Sequence, residues 1–236
     1  MADESRPTGG VPAYWDEQYR RGGLLWGERP SELAAVAVRR LRELGQAAAR
    51  LRLLDIGCGY GRDALALWRA LGLSVTGVDG AARAIELARA ALPADARDRV
   101  DYRVATLDAI GPERFDVVYS SNVYQLLDPT ARVAFRAAVR DHVAPGGLAL
   151  VSTLSLSDPE HHGRGVPVDD DPGSFVDHTY LHFCSGEELR RDFGFLELEQ
   201  VDELAYLEER PGGPPHDHVS WIVVGRAPGQ GAAIAE

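Results

Sequence analysis

The most constraining stretch of the chain is Leu53-Leu-Asp-Ile-Gly-Cys-Gly-Tyr-Gly61, where an apolar run ends in three alternating glycines. Leu51 to Ile56 reads as a buried strand. The glycines let the backbone turn tightly and approach a ligand with no Cβ in the way. Tyr60 to Leu71 then reads as a helix with Ala64, Leu67, Trp68 and Leu71 on one side. Eighteen residues beyond Gly61, at the end of the next apolar run, stands Asp79. A carboxylate there can accept hydrogen bonds from both hydroxyls of a ribose. Strand, turn, helix, strand and acid in register point to a parallel sheet with a nucleoside site at its carboxyl edge.

The rest of the chain continues that rhythm. Leu73 to Asp79, Val100 to Ala105, Phe115 to Ser120 and Leu148 to Thr153 are expected strands, and Ala81 to Leu92 a helix. Asp128-Pro129 offers an N-cap followed by proline at the first helical position, opening a helix to about Val143. Pro145-Gly-Gly147 is expected to turn the chain into the fifth strand. From 155 to 183 the rhythm breaks into a long loop around the acidic run Asp169 to Asp171, and loops of this length inside a compact domain are usually functional. Ser185-Gly-Glu-Glu188 has capping-box spacing for a helix to Phe193. Phe195 to Leu207 and His218 to Gly225 read as a hairpin joined through Pro211 to Pro215. The expected fold is α/β: an open seven-stranded sheet, six strands parallel and the last antiparallel, with helices on both faces. A single domain is expected over residues 13–227, with N-terminal helices in 13–50 and an active-site loop at 155–183. The Gly/Pro-bearing ends, 1–12 and 228–236, are expected to be mobile.

Composition narrows the partners. All 25 basic residues are arginine. That excludes Schiff-base chemistry, a phosphate-loop lysine, a lysine general base and a Tyr-x-x-x-Lys reductase site. With 36 acidic residues the formal charge is −11, which opposes phosphate backbones and anionic lipid surfaces in the absence of a basic patch. The expected partner is a small molecule, not nucleic acid or membrane. No apolar stretch approaches the roughly 20 residues that span a bilayer, and the first ten residues are polar and acidic with no hydrophobic signal segment. A cytoplasmic location is expected, with Cys58 and Cys184 as free thiols.

Two nucleoside ligands suit the frame. A dinucleotide turn carries its third glycine where Arg62 stands, and Asp55 just before the turn would confront the phosphates. S-adenosylmethionine has no phosphate, and its sulfonium and ammonium favour an acid at 55. Leu54-Asp-Ile-Gly-Cys-Gly-Tyr-Gly61, Gly77-Val-Asp79, Phe115-Asp-Val-Val118 and Pro145-Gly-Gly147 together resemble the ordered motifs of class I S-adenosylmethionine-dependent methyltransferases, over about residues 51–153. The resemblance implies a Rossmann-like fold, S-adenosylmethionine as cofactor and methyl transfer to a polar small-molecule acceptor: a thiol or chalcogen, a hydroxyl or an enol. It implies Asp79 on the ribose, the glycine turn on the methionine part, Thr106 or Asp108 at the adenine, and Ser120 to Gln125 along the methyl-transfer site. The cofactor-binding set so implied is Tyr14, Trp26, Asp55, Gly57, Gly59, Gly61, Asp79, Gly80, Thr106, Leu107, Asp108, Ser121, Asn122 and Gln125. More narrowly, Tyr14-Trp-Asp-Glu-Gln-Tyr19 with Trp26-Gly27, and His182-Phe-Cys-Ser-Gly-Glu-Glu-Leu-Arg190, are similar to the thiopurine and tellurite-resistance branch, whose N-terminal aromatics fold over the cofactor as a lid. The same aromatics would equally cover an open edge of the core.

Six of the seven histidines, at 161, 162, 178, 182, 216 and 218, fall in the last third of the chain; His142 lies on a helix. The loop after the fifth strand and the start of the reversed strand both lie at the carboxyl edge, where open parallel sheets bind ligands. His216 and His218, two apart on a strand, point to one face. Three readings stand side by side. The histidines are ordinary loop residues, or they bind the acceptor and act as general base, with His162, His182 and His218 as the candidates. The third is a divalent metal site built on the His-x-His pair plus His161, His162 or His182, able to acidify a chelated acceptor. Two rivals remain: a nicotinamide-dependent reductase, opposed by Arg62 and the missing lysine, and a non-catalytic protein that captures a metal or oxyanion.

Overall fold

The computed structural model describes residues 10–208 and 213–229. Helices α1 (Gly10–Gly22) and α2 (Glu32–Arg42) precede an alternation of β1 (Arg52–Ile56), α3 (Arg62–Leu71), β2 (Ser74–Asp79), α4 (Ala82–Ala91), β3 (Val100–Val104), β4 (Phe115–Ser121), α5 (Pro129–His142) and β5 (Val143–Leu154). Three short strands follow, β6 (Val166–Pro167), β7 (Ser174–Val176) and β8 (Tyr180–His182), then α6 (Gly186–Asp192) and the pair β9 (Glu197–Glu208) and β10 (His216–Arg226). Seven strands form one sheet in the order β3-β2-β1-β4-β5-β10-β9. Pairing is parallel from β3 through β5, and β10 is antiparallel to both β5 and β9. Six strands therefore share one direction and the last opposes them, as the sequence predicts.

A central strand covered on both faces needs apolar residues at every position. In β1, Leu53 packs with Leu33, Leu67 and Tyr119 on one face, and Leu54 with Phe135, Val139 and Phe193 on the other. The helix signals act at the expected residues. Asp128 Oδ1 accepts the Ala131 N–H at 2.9 Å with Pro129 in the first turn, and Ser185 Oγ accepts the Glu188 N–H at 3.1 Å. Helix α3 starts at Arg62, not at Tyr60, because Gly61 precedes it in the left-handed region, φ 78°. Among the described residues no helix is long and apolar enough to cross a membrane. Cys58 and Cys184 are free and buried.

Three expectations change. Pro145-Gly-Gly147 lies inside β5, because the Gly146 N–H bonds the Ala227 carbonyl (3.0 Å) and the Ala227 N–H bonds the Gly147 carbonyl (2.8 Å), which ties the stretch to the end of β10. Residues 10–12 are not part of a loose end: they open α1, and Pro12 packs over Gly80. The 155–183 segment is not a plain loop, since β6, β7 and β8 form a small antiparallel sheet of their own. Residues 1–9, 209–212 and 230–236, which include part of the expected hairpin joint and most of the two expected mobile ends, lie outside the described residues.

One ion pair holds the small sheet to α5. The Arg132 guanidinium donates to both Asp171 oxygens (2.5 and 3.1 Å) and to the Leu127 carbonyl (2.8 Å), while Ser174 and Tyr180 also donate to Asp171. Burial opposes ionisation of Asp171, but the hydrogen bonds from Arg132, Ser174 and Tyr180 outweigh it and keep its pKa below the ordinary carboxylate value. A carboxyl group lowered in the folded state adds stability above its unfolded pKa, and loses it as pH falls through the folded value. Asp171→Asn should therefore cost about 3 kcal/mol at neutral pH. The Tm gap between parent and variant should close below about pH 4. An unchanging gap in a melting series across that range would contradict the assignment.

Candidate active site

The chain leaves β1 through Gly57 (φ 72°), and the N–H groups of Gly57 and Cys58 both bond the Val78 carbonyl, at 2.8 and 3.0 Å. A Cβ at Gly57 would stand 2.3 Å from Val123 Cγ2, and one at Gly61 2.3 Å from the Tyr102 hydroxyl, so side chains are excluded from both positions by contact as well as by φ. Asp79, at the end of β2, closes the turn: its Oδ2 accepts the Gly59 N–H at 2.9 Å and its Oδ1 the Ala81 N–H at 2.8 Å. Burial raises the Asp79 pKa, and these two donors pull it back in part.

A cavity of about 750 Å³ opens at this edge. Asp55, Gly57, Gly59 and Asp79 form its floor, and Thr106, Leu107 and Asp108 one end. Asp55 is fully buried, and its Oδ2 has no hydrogen-bond partner among the described residues. Burial, reinforced by the negative fields of Asp63 and Asp79, pushes its carboxyl well above the ordinary range. A buried acceptor without a donor costs about 1–3 kcal/mol, and a cationic or N–H-bearing ligand in the cavity would relieve it. At the end wall, Thr106 Oγ1 donates to Asp108 Oδ1 at 2.6 Å, and this bond lowers the Asp108 pKa. Asn122, the one non-glycine residue with positive φ (57°) among those described, sits at the end of β4, its N–H bonding the Ser152 carbonyl at 3.1 Å. Such strained conformers concentrate at functional sites.

The roof comes from the N-terminal helices. Val11, Trp15 and Tyr19, four apart on α1, line the cavity together with Trp26. The loop carrying Trp26 is bound to the glycine turn and the start of α3. Tyr60 donates to the Gly27 carbonyl (2.6 Å), and Arg62 to the carbonyls of Trp26 (2.8 Å) and Arg29 (3.2 Å). Asp63 accepts from the Ser31 N–H (2.7 Å), the Ser31 hydroxyl (2.6 Å) and the Tyr119 hydroxyl (2.7 Å).

Comparison with known proteins agrees with this geometry. A family described as "Methyltransferase domain" matches residues 53–147. The ubiquinone biosynthesis O-methyltransferase of Brucella ovis is 33% identical over 165 residues, 65% of this chain and 62% of that protein. Its namesake from Cereibacter sphaeroides is 42% identical over 109 residues, 44% of this chain and 42% of that protein. A structure solved in work on the conversion of a disulfide bond into a thioacetal group during echinomycin biosynthesis has a TM-score of 0.70 at 26% identity, covering 94% of this chain and 93% of that one. Residues 53–147 match the methyltransferase domain, and the seven-stranded sheet around them is the Rossmann-like fold of the solved neighbours. The chain spans about 62% of the length of the Brucella relative. TehB from Haemophilus influenzae, with a TM-score of 0.59 at 18% identity, 80% of this chain and 62% of that one, shares the fold.

Twelve of the fourteen cofactor-site residues expected from sequence line the cavity. The exceptions are Tyr14 and Gly61. Tyr14 lies one step round α1 from the lining stripe, edge-on to Trp15 with ring centroids 5.3 Å apart, and faces the carboxylate of Asp177. Gly61 caps α3 and accepts a hydrogen bond from the Tyr102 hydroxyl at 3.2 Å, behind the turn. Of the three histidines expected to be catalytic, only His218 lines the cavity. His162 is exposed and packs edge-on against Phe175 and Phe183, at 5.5 and 5.2 Å. His182 is buried in the small sheet, with Nδ1 on Ser174 Oγ (2.7 Å) and Nε2 on Glu188 Oε1 (2.9 Å). His218 holds Asp158 Oδ2 at 2.9 Å on Nδ1 and Glu208 at 3.6 Å on Nε2. Burial alone would lower its pKa, but these two carboxylates outweigh it and raise it to about 9. In that state His218 carries its proton at neutral pH and has no lone pair to act as a base. His161, Tyr206 and Glu208 complete the same wall; the last two stand two apart along β9, a spacing that places them on one face.

Ala at Asp63 would strand three buried or half-buried donors. Asp63→Ala is expected to destabilise by about 2–3 kcal/mol, seen as a Tm lowered by roughly 5–10 °C. A melting curve superimposable on the parent's would remove Asp63 from its structural role.

Proposed function

We propose that the chain transfers the methyl group of S-adenosylmethionine to an oxygen, hydroxyl or enol, of a polar small molecule. The observation that carries this reading is a single cavity with two chemically distinct ends. One end holds the glycine turn, Asp55, Asp79 and the Thr106–Asp108 pair; the other holds His161, Tyr206, Glu208 and His218. The names of the relatives from Brucella ovis and Cereibacter sphaeroides, both O-methyltransferases, support oxygen as the acceptor atom. A strongly acidic chain favours a small acceptor over nucleic acid.

The residues present fit S-adenosylmethionine. Asp79 would hold the ribose, the backbone of Gly57 to Gly59 the methionine part, and Thr106 or Asp108 the adenine. The orphaned Asp55 oxygen would favour the cationic amino acid end. Asp55 and the absence of lysine both oppose a pyrophosphate ligand. Bound there, S-adenosylmethionine supplies a methyl carbon on a sulfonium: the acceptor oxygen forms the new C–O bond as the C–S bond breaks with its electron pair going to sulfur. The protein's own work is positional. Trp15, Tyr19 and Trp26 exclude water above the turn, and Asn122 and Gln125 shape the passage between the two ends. The imidazole and carboxylate groups of the far wall orient the acceptor and give its hydroxyl proton a route away.

Two measurements test this. Asp79→Ala should weaken S-adenosylhomocysteine binding at least tenfold by calorimetry, about 1.4 kcal/mol or more; unchanged affinity would overturn the ribose assignment. A screen of phenols, hydroxy acids, 2-oxo acids, thiols and chalcogen oxyanions should release S-adenosylhomocysteine with oxygen acceptors. Turnover of thiols or chalcogens alone would overturn the choice of acceptor atom.

A further inference from the structure

The pairing of β9 with β10 gathers imidazoles at the acceptor end. In this register His216 lies opposite Glu208 and His218 opposite Tyr206. Residues two apart share a face, so all four side chains stand on one side of the ribbon. His161 reaches the same place from the segment leaving β5. Ring centroids are 5.2 Å apart for His161 and His218, 6.0 Å for His161 and His216, and 6.1 Å for His216 and His218. One nitrogen from each ring lies within 4.8 Å of the other two. Glu208 Oε2 stands 3.6 Å from His218 Nε2. The Nδ1 of His216 is buried without a hydrogen-bond partner among the described residues.

We propose that His161, His216, His218 and Glu208 bind a divalent transition-metal ion, of the zinc or ferrous-iron class, on the acceptor wall of the cavity. Three features support it. Asp158 Oδ2 accepts from His218 Nδ1 at 2.9 Å and is itself fixed by the Val219 N–H at 3.1 Å, while its Oδ1 accepts the His161 N–H at 2.9 Å. A carboxylate on the far nitrogen is the arrangement that aims the near nitrogen of a ligating histidine at its metal. Second, Asp158 and Glu208 bring two negative charges to three imidazoles, so a dication that displaces the His218 proton from Nε2 balances the group. Third, imidazole with one carboxylate matches zinc and iron in softness, not calcium or magnesium. Metal–nitrogen bonds of about 2.0–2.1 Å set ligands roughly 3.4 Å apart, so the rings must close by about 1 Å, within reach of χ rotations.

A second group, His182, Cys184 and Glu188, also has ligand atoms within 4.8 Å of one another. It is spent on packing. His182 already binds Ser174 and Glu188, Cys184 is fully buried with its thiol pushed up by that burial, and none of the three lines the cavity.

A metal on this wall selects acceptors with two adjacent oxygens, such as vicinal hydroxyls, hydroxy acids or the enol of a 2-oxo acid. Chelation would lower the pKa of the reacting hydroxyl, its proton leaving to solvent and its negative charge resting on the metal. This acceptor preference rests on the methyl-transfer reading; the metal site does not.

The test uses the full chain without an affinity tag, stripped with chelator and dialysed against Zn²⁺ or, without oxygen, Fe²⁺. About one metal per chain is expected in elemental analysis. His216→Ala and the supporting Asp158→Asn should each weaken metal affinity about 10–100-fold, with S-adenosylhomocysteine affinity unchanged as the measure of an intact fold. If His216→Ala loses that binding, Asp158→Asn carries the same comparison. Less than a tenth of an equivalent bound, or metal affinity equal in parent and Asp158→Asn, would overturn the site. Metal bound without methyl transfer to any acceptor would instead remove the proposed function. Turnover indifferent to chelator would remove the metal's role in acceptor binding.

Discussion

One buried carboxylate joins the sheet to the N-terminal roof over its carboxyl edge. Asp63, in the first turn of α3, takes hydrogen bonds from Ser31, which caps α2, and from Tyr119 on β4. Three segments far apart in sequence therefore meet at two oxygens. The neighbouring residues extend the joint: Tyr60 and Arg62 bind the carbonyls of Trp26, Gly27 and Arg29. Three residues of one turn, Tyr60, Arg62 and Asp63, thus decide where the N-terminal roof sits over the cavity. Arg62 gains a positive account from this. Its bulk departs from the glycine of a dinucleotide turn because the position is used to bind the roof.

The lysine-free composition has a parallel structural expression. Arg62, Arg89, Arg114 and Arg132 all reach backbone carbonyls across element boundaries, and Arg132 grips Asp171 with both arms. A planar fork can satisfy a carbonyl and a carboxylate at once, which a single ammonium does less well. Arg62 and Arg132 stitch the carboxyl edge in this way, Arg89 and Arg114 tie elements elsewhere on the sheet, and the cavity keeps its acids at positions 55, 79 and 108.

Where a periodic rule applies, sequence led directly to the structure. Burial on both faces of β1, the caps at Asp128 and Ser185, and the reversal of β10 all follow from patterns of two or 3.6 residues or from capping chemistry. Two of the failures are of one kind. Tyr14 and Trp15 are adjacent aromatics, as His161 and His162 are adjacent imidazoles, and in each pair one member enters the cavity while the other packs outside. Composition cannot choose between neighbours of like chemistry; only the phase of a helix or the dihedrals of a loop can. The phase of α1 depends on its start at Gly10, in a Gly/Pro-bearing stretch that carries no helix signal. The dihedrals around 161 depend on Asp158, whose carboxylate holds the backbone of His161 and of Val219, a contact across 61 residues that no local pattern carries.

The two ends of the cavity are therefore specified by different physics. The cofactor end is made by a local turn, where excluded Cβ atoms and one carboxylate fix the backbone within a span short enough to read from sequence. The acceptor end is made by strand register. A one-residue slip between β9 and β10 would carry Tyr206 and Glu208 to the opposite face from His216 and His218 and dissolve the wall. The pairing is held by apolar burial of Val201, Ile222, Val223 and Val224 well away from the site. It follows that acceptor chemistry can vary by substitution at 206, 208, 216 and 218 without loosening the register that presents them, whereas the turn tolerates almost nothing. The proposed methyl transfer, with a constant donor and a changeable recipient, is what such a division suits.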